Sequence, residues 1–427
     1  MNPLIQLKTA SSPLVALALL GFALLPGAQA VVPPPDGGYP NFTTAEGQNA
    51  LFSLTTGTAN TAVGWYSLFS ETTGSFNTAT GTGALLFNTA DQNTAFGAAA
   101  LLFNTTGFQN TAVGTAALLN NTASEQNTAT GSGALSSHTT GNGNTANGAF
   151  ALSSDTGGQV NTATGAFALF SNTTGTFNTA NGASALSGNT TGGDNTASGA
   201  QALLSNSTGH DNTANGANAL VNNTTGNDNV ALGALAGTQQ TTGSNNVYIG
   251  FNMQGTAGES NTCYINSIFG QTSPSGIPVL INSSNKLGTM TSSKRFKEDI
   301  KQMDKTSEAL LELKPVTFRY KKEIDPEARQ QFGLLAEEVE KVNPNLVVRD
   351  KEGKPYSVRY DQVNAMLLNE FLIEHNAFVE EQREVEQQQK EIDALKTELK
   401  EQRVLIEKVN DKMELKGSAS QTTANNQ

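Results

Sequence analysis

Between Asn60 and Gly250 the chain writes one motif twelve times, in the form Asn-Thr-Ala-x-Gly-x-x-Ala-Leu-x-x-Asn-Thr-Thr-Gly-x-x. The leading asparagine falls at residues 60, 77, 93, 110, 127, 144, 161, 178, 195, 212, 229 and 246, a step of 17 except for 16 between 77 and 93. Glycine holds the fifth position in every copy, and leucine the ninth in ten successive copies from Leu68 to Leu220. Repetition this regular demands stacked, nearly identical units. Seventeen residues are too few for a helix pair or a propeller blade. Glycine, asparagine and threonine are poor helix formers; threonine favours strands, and asparagine and glycine favour tight turns. Each copy is therefore expected to be one coil of a β-solenoid or β-roll. The expected coil has a short strand at Thr-Ala-x, a turn at Gly, a second short strand through Ala-Leu and a closing loop at Asn-Thr-Thr-Gly. Twelve coils about 4.8 Å apart make a rod on the order of 60 Å long.

One leucine per coil is a thin core. Its burial, with a few alanines, falls short of the entropy lost on ordering a whole coil. Hydrogen-bonded ladders and burial against other chains must supply the difference, so the rod is expected to be oligomeric, a homotrimer. Identical coils also permit register slips, and something has to align the chains. No intrachain disulfide can help, because Cys263 is the only cysteine. Its thiol is expected to be packed rather than reactive.

The chain has 427 residues and a net charge of −12, with most acidic groups in its last third. That balance argues against nucleic acid as a partner. Residues 1–30 read as a secretory signal: Lys8, then an apolar run from Pro13 to Leu25, then the small-residue site Ala28-Gln29-Ala30. The run is short for a membrane span. A secreted or cell-surface location follows. Residues 31–58 read as a linker, 59–270 as the repeats and 271–290 as a second linker.

Within the repeats, Asp194, Asp211 and Asp228 occupy the same position in three successive coils. Stacked carboxylates repel unless solvated or bridged by a cation; water-facing turn residues are the expectation, a weak calcium column the alternative. His138, His210 and His375 lack ligand spacing and are expected at the surface. No metal and no cofactor is called for. The repeats carry no sugar-cleaving carboxylate pair, which leaves a polysaccharide depolymerase as the least supported reading; a cell-surface or glycan ligand for the rod stays open. The last copies, Asn229-Val-Ala-Leu-Gly and Asn246-Val-Tyr-Ile-Gly, resemble the head repeats of trimeric autotransporter adhesins, which implies a trimeric β-roll.

Composition changes near residue 290: glycine and asparagine thin out and charged residues rise. A helix end running into a strand is expected across 310–320, a strand leading into a helix across 332–339, a short strand at 343–348 and a long helix from Tyr360. The motifs Ser292-x-x-Arg295-x-Lys297, Leu313-x-Pro315-Val316-x-Phe318, Gly333-Leu-Leu-Ala-Glu-Glu-Val339 and Tyr360 together resemble the intramolecular chaperone auto-processing domain of phage tailspikes and endosialidases. That is a self-cleaving serine peptidase family, and the resemblance covers about 292 to 390. It implies that the domain trimerises the chain, nucleates the fibre upstream and then cuts itself off. A serine hydroxyl needs a base, and a lysine can serve once burial and a neighbouring cation favour its neutral form. By the resemblance, Ser292 is the nucleophile, Lys297 the base and Arg295 the neighbouring cation. Where the family often has Ser-Asp, this chain has Ser292-Ser293, so Ser293 is the alternative nucleophile.

Heptad spacing follows from Leu367 and Phe371 through Ile392 and Leu399 to Ile406 and Met413. The plan is thus a chaperone and self-cleaving domain over 291–385, a three-stranded coiled coil over 386–416 and a disordered tail over 417–427. The fold class is mainly β: a parallel β-solenoid rod, a small α+β domain and a C-terminal coiled coil, assembled as a homotrimer. Two readings of function remain. One is a secreted fibre or adhesin-like protein whose C-terminal domain aligns three chains and cleaves itself off near Ser292. The other is an uncleaved structural or adhesive surface protein that keeps the domain as a trimer clamp.

Overall fold

The computed structural model describes residues 40–424. The expected signal segment, the start of the first linker and the last three residues lie outside them. The described chain forms two compact units divided at Thr272–Ser273.

The first unit is a parallel β-solenoid. Fourteen three-residue strands, β1 (Thr44–Glu46) through β14 (Cys263–Ile265), stack in strict sequence order into one sheet. Neighbours pair in parallel at equivalent positions, as in Thr111↔Thr128 and Ala112↔Ala129. The short copy beginning at Asn77 keeps this register, with Thr78 opposite Thr94; its missing residue comes out of the loop after Asn88. The solenoid also begins earlier than the repeat count suggests. Thr44–Glu46 pairs with Thr61–Val63, so a degenerate coil occupies part of the expected first linker.

Each coil follows the side-chain alternation of a strand. The alanine of Thr-Ala-x points inward and is buried, while its two neighbours face out. The fifth-position glycine then turns the chain. Gly114 sits at φ +136°, and a Cβ there would stand 2.5 Å from the carbonyl oxygen of Gly131 in the next coil. Both the dihedral and the stacking exclude a side chain.

The second predicted strand is absent. The Ala-Leu segment is a run of turns in which every repeat leucine from Leu68 to Leu220 is left-handed, at φ 47° to 53°. That conformation costs an L-residue roughly 1–2 kcal/mol. Complete burial of each leucine, worth about 2–3 kcal/mol, offsets it. The segment still makes rung-to-rung bonds: the Leu118 N–H donates to the Ala134 carbonyl at 3.0 Å, and the Leu135 N–H to the Ala151 carbonyl at 3.0 Å.

The remaining interior is polar. In one column the leading asparagines stack. The backbone N–H of Asn144 donates to Oδ1 of Asn127 at 2.9 Å, and its Nδ2 to the Gly158 carbonyl at 2.8 Å. A second column runs through the twelfth position. There Nδ2 of Asn104 donates to Oδ1 of Asn88 at 2.6 Å, and Nδ2 of Asn189 to Oδ1 of Asn172 at 2.8 Å. Each asparagine that bonds another along this column donates toward the N-terminal side, whereas Gln240 donates to the Glu259 carbonyl at 3.2 Å. Each of the two runs in this column ends on a carboxylate: Asn88 donates to Glu71 at 2.7 Å, and Asn172 to Asp155 at 2.6 Å. Burial pushes the Glu71 carboxyl above its ordinary range, against the hydrogen bonds from Asn88 and from the Gly74 N–H that favour its charged form.

His138 corrects the expectation of a surface histidine. It is fully buried at the twelfth position, with Nδ1 2.7 Å from Asp155 Oδ2 and Nε2 2.7 Å from the Gly141 carbonyl oxygen. A carbonyl can only accept, so Nε2 donates. The contact to Asp155 then needs a second proton, shared within the His138–Asp155 pair. His210 also has a structural partner, its Nδ1 accepting from the Gly193 N–H at 2.9 Å. Cys263 departs from expectation as well: it lies on the outward side of β14 and is exposed. Asp194, Asp211 and Asp228 are exposed turn residues at φ 56° to 58°, the left-handed region that aspartate tolerates.

In the second unit, two short strands, β15 (Val279–Ile281) and β16 (Leu287–Thr289), pair as an antiparallel hairpin inside the expected second linker. A 3₁₀ segment (Asp304–Glu312) leads to β17 (Val316–Phe318), which pairs with β18 (Gln331–Gly333). A helix (Ala336–Val342) follows, then β19 (Val347–Arg349) paired with β20 (Pro355–Val358). A 65-residue helix, Tyr360–Ala424, ends the described chain. The elements expected at 310–320, 332–339, 343–348 and from Tyr360 are present in that order, the first as a 3₁₀ segment; β20 was not among them, and the helix continues through residues expected to be a disordered tail. Among the described residues no helix is long and apolar enough to cross a membrane.

Candidate functional site

The residues singled out for chemistry lie at the start of the second unit, just after the β15–β16 hairpin. Ser292 and Ser293 are extended, and a single 3₁₀ turn at Lys294–Phe296 follows. The Phe296 N–H donates to the Ser293 carbonyl at 3.0 Å and the Lys297 N–H to the Lys294 carbonyl at 3.1 Å. This turn folds residue 297 back toward residue 292. Lys297 Nζ donates to Ser292 Oγ at 3.2 Å. Arg295 does not join them; its guanidinium lies over the Phe296 ring, 4.6 Å from the centroid. Ser293 makes no side-chain cap to the turn. The turn thus brings together Ser292 and Lys297 but neither Arg295 nor Ser293.

All four side chains are exposed in the single chain. A serine–lysine pair needs the amine neutral before it can take the hydroxyl proton, and desolvation is what favours that form. The proximity is present, and the covering is not.

The other motif residues are explained by packing. Leu313, Pro315, Val316, Gly333 and Tyr360 line one apolar hollow. The Leu334 N–H donates to the Tyr360 hydroxyl at 3.0 Å, and a Cβ on Gly333 would stand 2.8 Å from that oxygen. Glycine at 333 and tyrosine at 360 therefore specify each other. The long helix is tied down by a group that no motif marked: buried Ser307 donates to Glu370 at 2.5 Å and accepts from Asn369 Nδ2 at 2.6 Å. Nothing in the local sequence around Ser307 signals this role.

The core beneath is small. Val339, Leu346, Val347, Val358 and Met366 are its buried members. Leu367, Phe371, Phe378, Ile392 and Leu399 on the long helix are all exposed. Among the described residues no three histidine, cysteine, aspartate or glutamate side chains gather to hold a metal.

Compared with known families, residues 292–348 match the family described as chaperone of endosialidase. The match opens on Ser292, covers the 3₁₀ turn, β17 and β18, and ends within β19. No curated protein matches the chain, and no solved structure does.

Proposed function

We propose, from a chaperone of endosialidase domain set behind a β-solenoid rod, that this is a secreted fibre protein resembling a tail fibre. In this reading the C-terminal domain gathers three chains, the long helices wind together through their apolar stripe, and the solenoid coils zip up from that end. The domain then cuts the chain beside Ser292. The observation that carries the reading is the family match beginning at the serine that Lys297 reaches at 3.2 Å.

The chemistry runs as one acyl transfer. Ser292 Oγ attacks the adjoining peptide carbonyl while Lys297 Nζ, in its neutral form, takes the hydroxyl proton and passes it to the leaving amine. Water then releases the acyl group. Desolvation of Lys297 comes from neighbouring chains, so cutting waits for assembly. The product is a rod freed from its chaperone, and its persistence is kinetic.

Denaturing electrophoresis of the expressed protein tests this: a rod-sized fragment is expected, and Ser292→Ala and Lys297→Ala each abolish it. Fragmentation that persists in Ser292→Ala and stops in Ser293→Ala would move the nucleophile by one residue. The open setting of the Ser292–Lys297 pair favours a second reading, in which the domain stays attached as a clamp. An uncut wild type in the mature protein would select it.

A further inference from the structure

The outward face of the solenoid changes character at one point along the rod. The second and fourth positions of each coil flank the buried alanine and point away from the core. From the coil of Asn60 to that of Asn212 the second position is always threonine, and the fourth is most often threonine, asparagine or serine. In the last three strands, β12 (Val230–Leu232), β13 (Val247–Ile249) and β14, both columns become apolar together. Val230, Leu232 and Ile265 stand 40%, 50% and 41% exposed, and Cys263 is exposed beside them. Val247 and Ile249 complete the patch. The earlier coils carry threonine at the second position throughout and an apolar fourth residue only at Val63, Phe96 and Val113, so a patch apolar in both columns over three successive strands marks a contact surface.

We infer that this face is the seam along which three copies of the rod meet, in the last coils of the chain before the domain that assembles them. The inference rests on the trimer reading above and names the surface that reading leaves unspecified. Two observations select a further copy as the occupant. The patch repeats with the pitch of the coils in two parallel columns, Val230–Val247–Cys263 and Leu232–Ile249–Ile265, and another copy in register matches that spacing row for row. The patch carries no charge, so like surfaces meet without repulsion. Upstream, the threonine-lined columns give a more polar contact, so cohesion is greatest at the C-terminal coils and weakens toward the N-terminus.

Cys263, the chain's only cysteine, reports on the seam directly. The full chain, with Ser292→Ala to keep it intact, is sedimented and then labelled with a bulky maleimide. A thiol closed into an interface reacts at least about tenfold more slowly than an exposed one. The reference is Thr225→Cys in a Cys263→Ser background, an exposed site on a neighbouring coil outside the strand face. Trimers with Cys263 protected, and with protection lost in Val230→Thr/Leu232→Asn, support the seam. Those two substitutions place residues that the preceding coils already carry at the same positions, as at Thr213 and Asn215, so the coil itself is expected to fold. Trimers in which Cys263 labels at the reference rate overturn the seam and leave the trimer standing. A monomer overturns both.

Discussion

Replacing His138 by asparagine would return that coil to the amide most of its neighbours carry, yet it should destabilise the rod. An asparagine there donates toward Asn121 and leaves Asp155 Oδ2, now 2.7 Å from Nδ1, without its partner. Breaking a buried pair from one side costs roughly 3–5 kcal/mol. The double variant His138→Asn/Asp155→Asn restores an unbroken amide column and should recover most of that loss. Denaturant midpoints of the two singles and the double check the coupling; simple additivity would count against it. Glu71 gives a pH test. Its carboxyl is held above the ordinary 4.5, so its contribution to stability is fully present below 4.5 and is lost as pH rises through the raised value. Glu71→Gln should therefore flatten the fall of the melting temperature as pH rises above 4.5 relative to wild type. Part of this was readable in the sequence. His138 and Asp155 stand one repeat apart where most coils carry asparagine, and that substitution pattern was the available signal. Burial of the twelfth position was not readable, because a polar column inside a solenoid looks like a polar loop until the coil is closed.

At the scale of the coil, the strand and the glycine turn were legible because the repeat fixes both. The Ala-Leu segment was not. Two apolar residues suit a strand or a turn equally well, and only stacking decides. Left-handed leucine is unfavourable in isolation and becomes acceptable because each leucine is fully buried and its N–H meets a carbonyl in the next coil. The glycine turn makes a sharper prediction. Gly114→Ala forces a positive φ on alanine and sets its Cβ against the Gly131 backbone. A loss of about 3 kcal/mol or more is expected, and hydrogen exchange should show it confined to the coils around residue 114. The C-terminal elements that were read came in the right order because each begins on a local signal, such as Tyr360 opening the long helix; β15, β16 and β20 were not read. The extra coil at Thr44–Glu46 was missed because it lacks the leading asparagine, with Thr43 in its place.

At the scale of the whole molecule, the division into a rod and a small C-terminal domain was visible in composition alone, since the charge content rises where the repeats stop. The pairing of Ser292 with Lys297 was implied by the family resemblance, and the single 3₁₀ turn supplies the geometry that sets Nζ 3.2 Å from Oγ. The setting of Arg295 was not legible, because the adjoining phenylalanine competes for its guanidinium. One property of the rod reaches beyond any single residue. Every coil presents nearly the same upper and lower surface, and the register survives even the copy that is one residue short. Removing residues 178–194, one complete coil, should join two compatible ends and leave a folded rod shorter by about 4.8 Å. Scattering or electron microscopy would measure the change, and a collapsed product would refute it. Duplication or loss of a genetic segment coding for one whole repeat thus becomes a gentle event. Reach can be lengthened or trimmed across generations in fixed steps, while the C-terminal unit is inherited untouched. Such a step does harm between His138 and Asp155, whose partnership requires that they remain on adjacent floors.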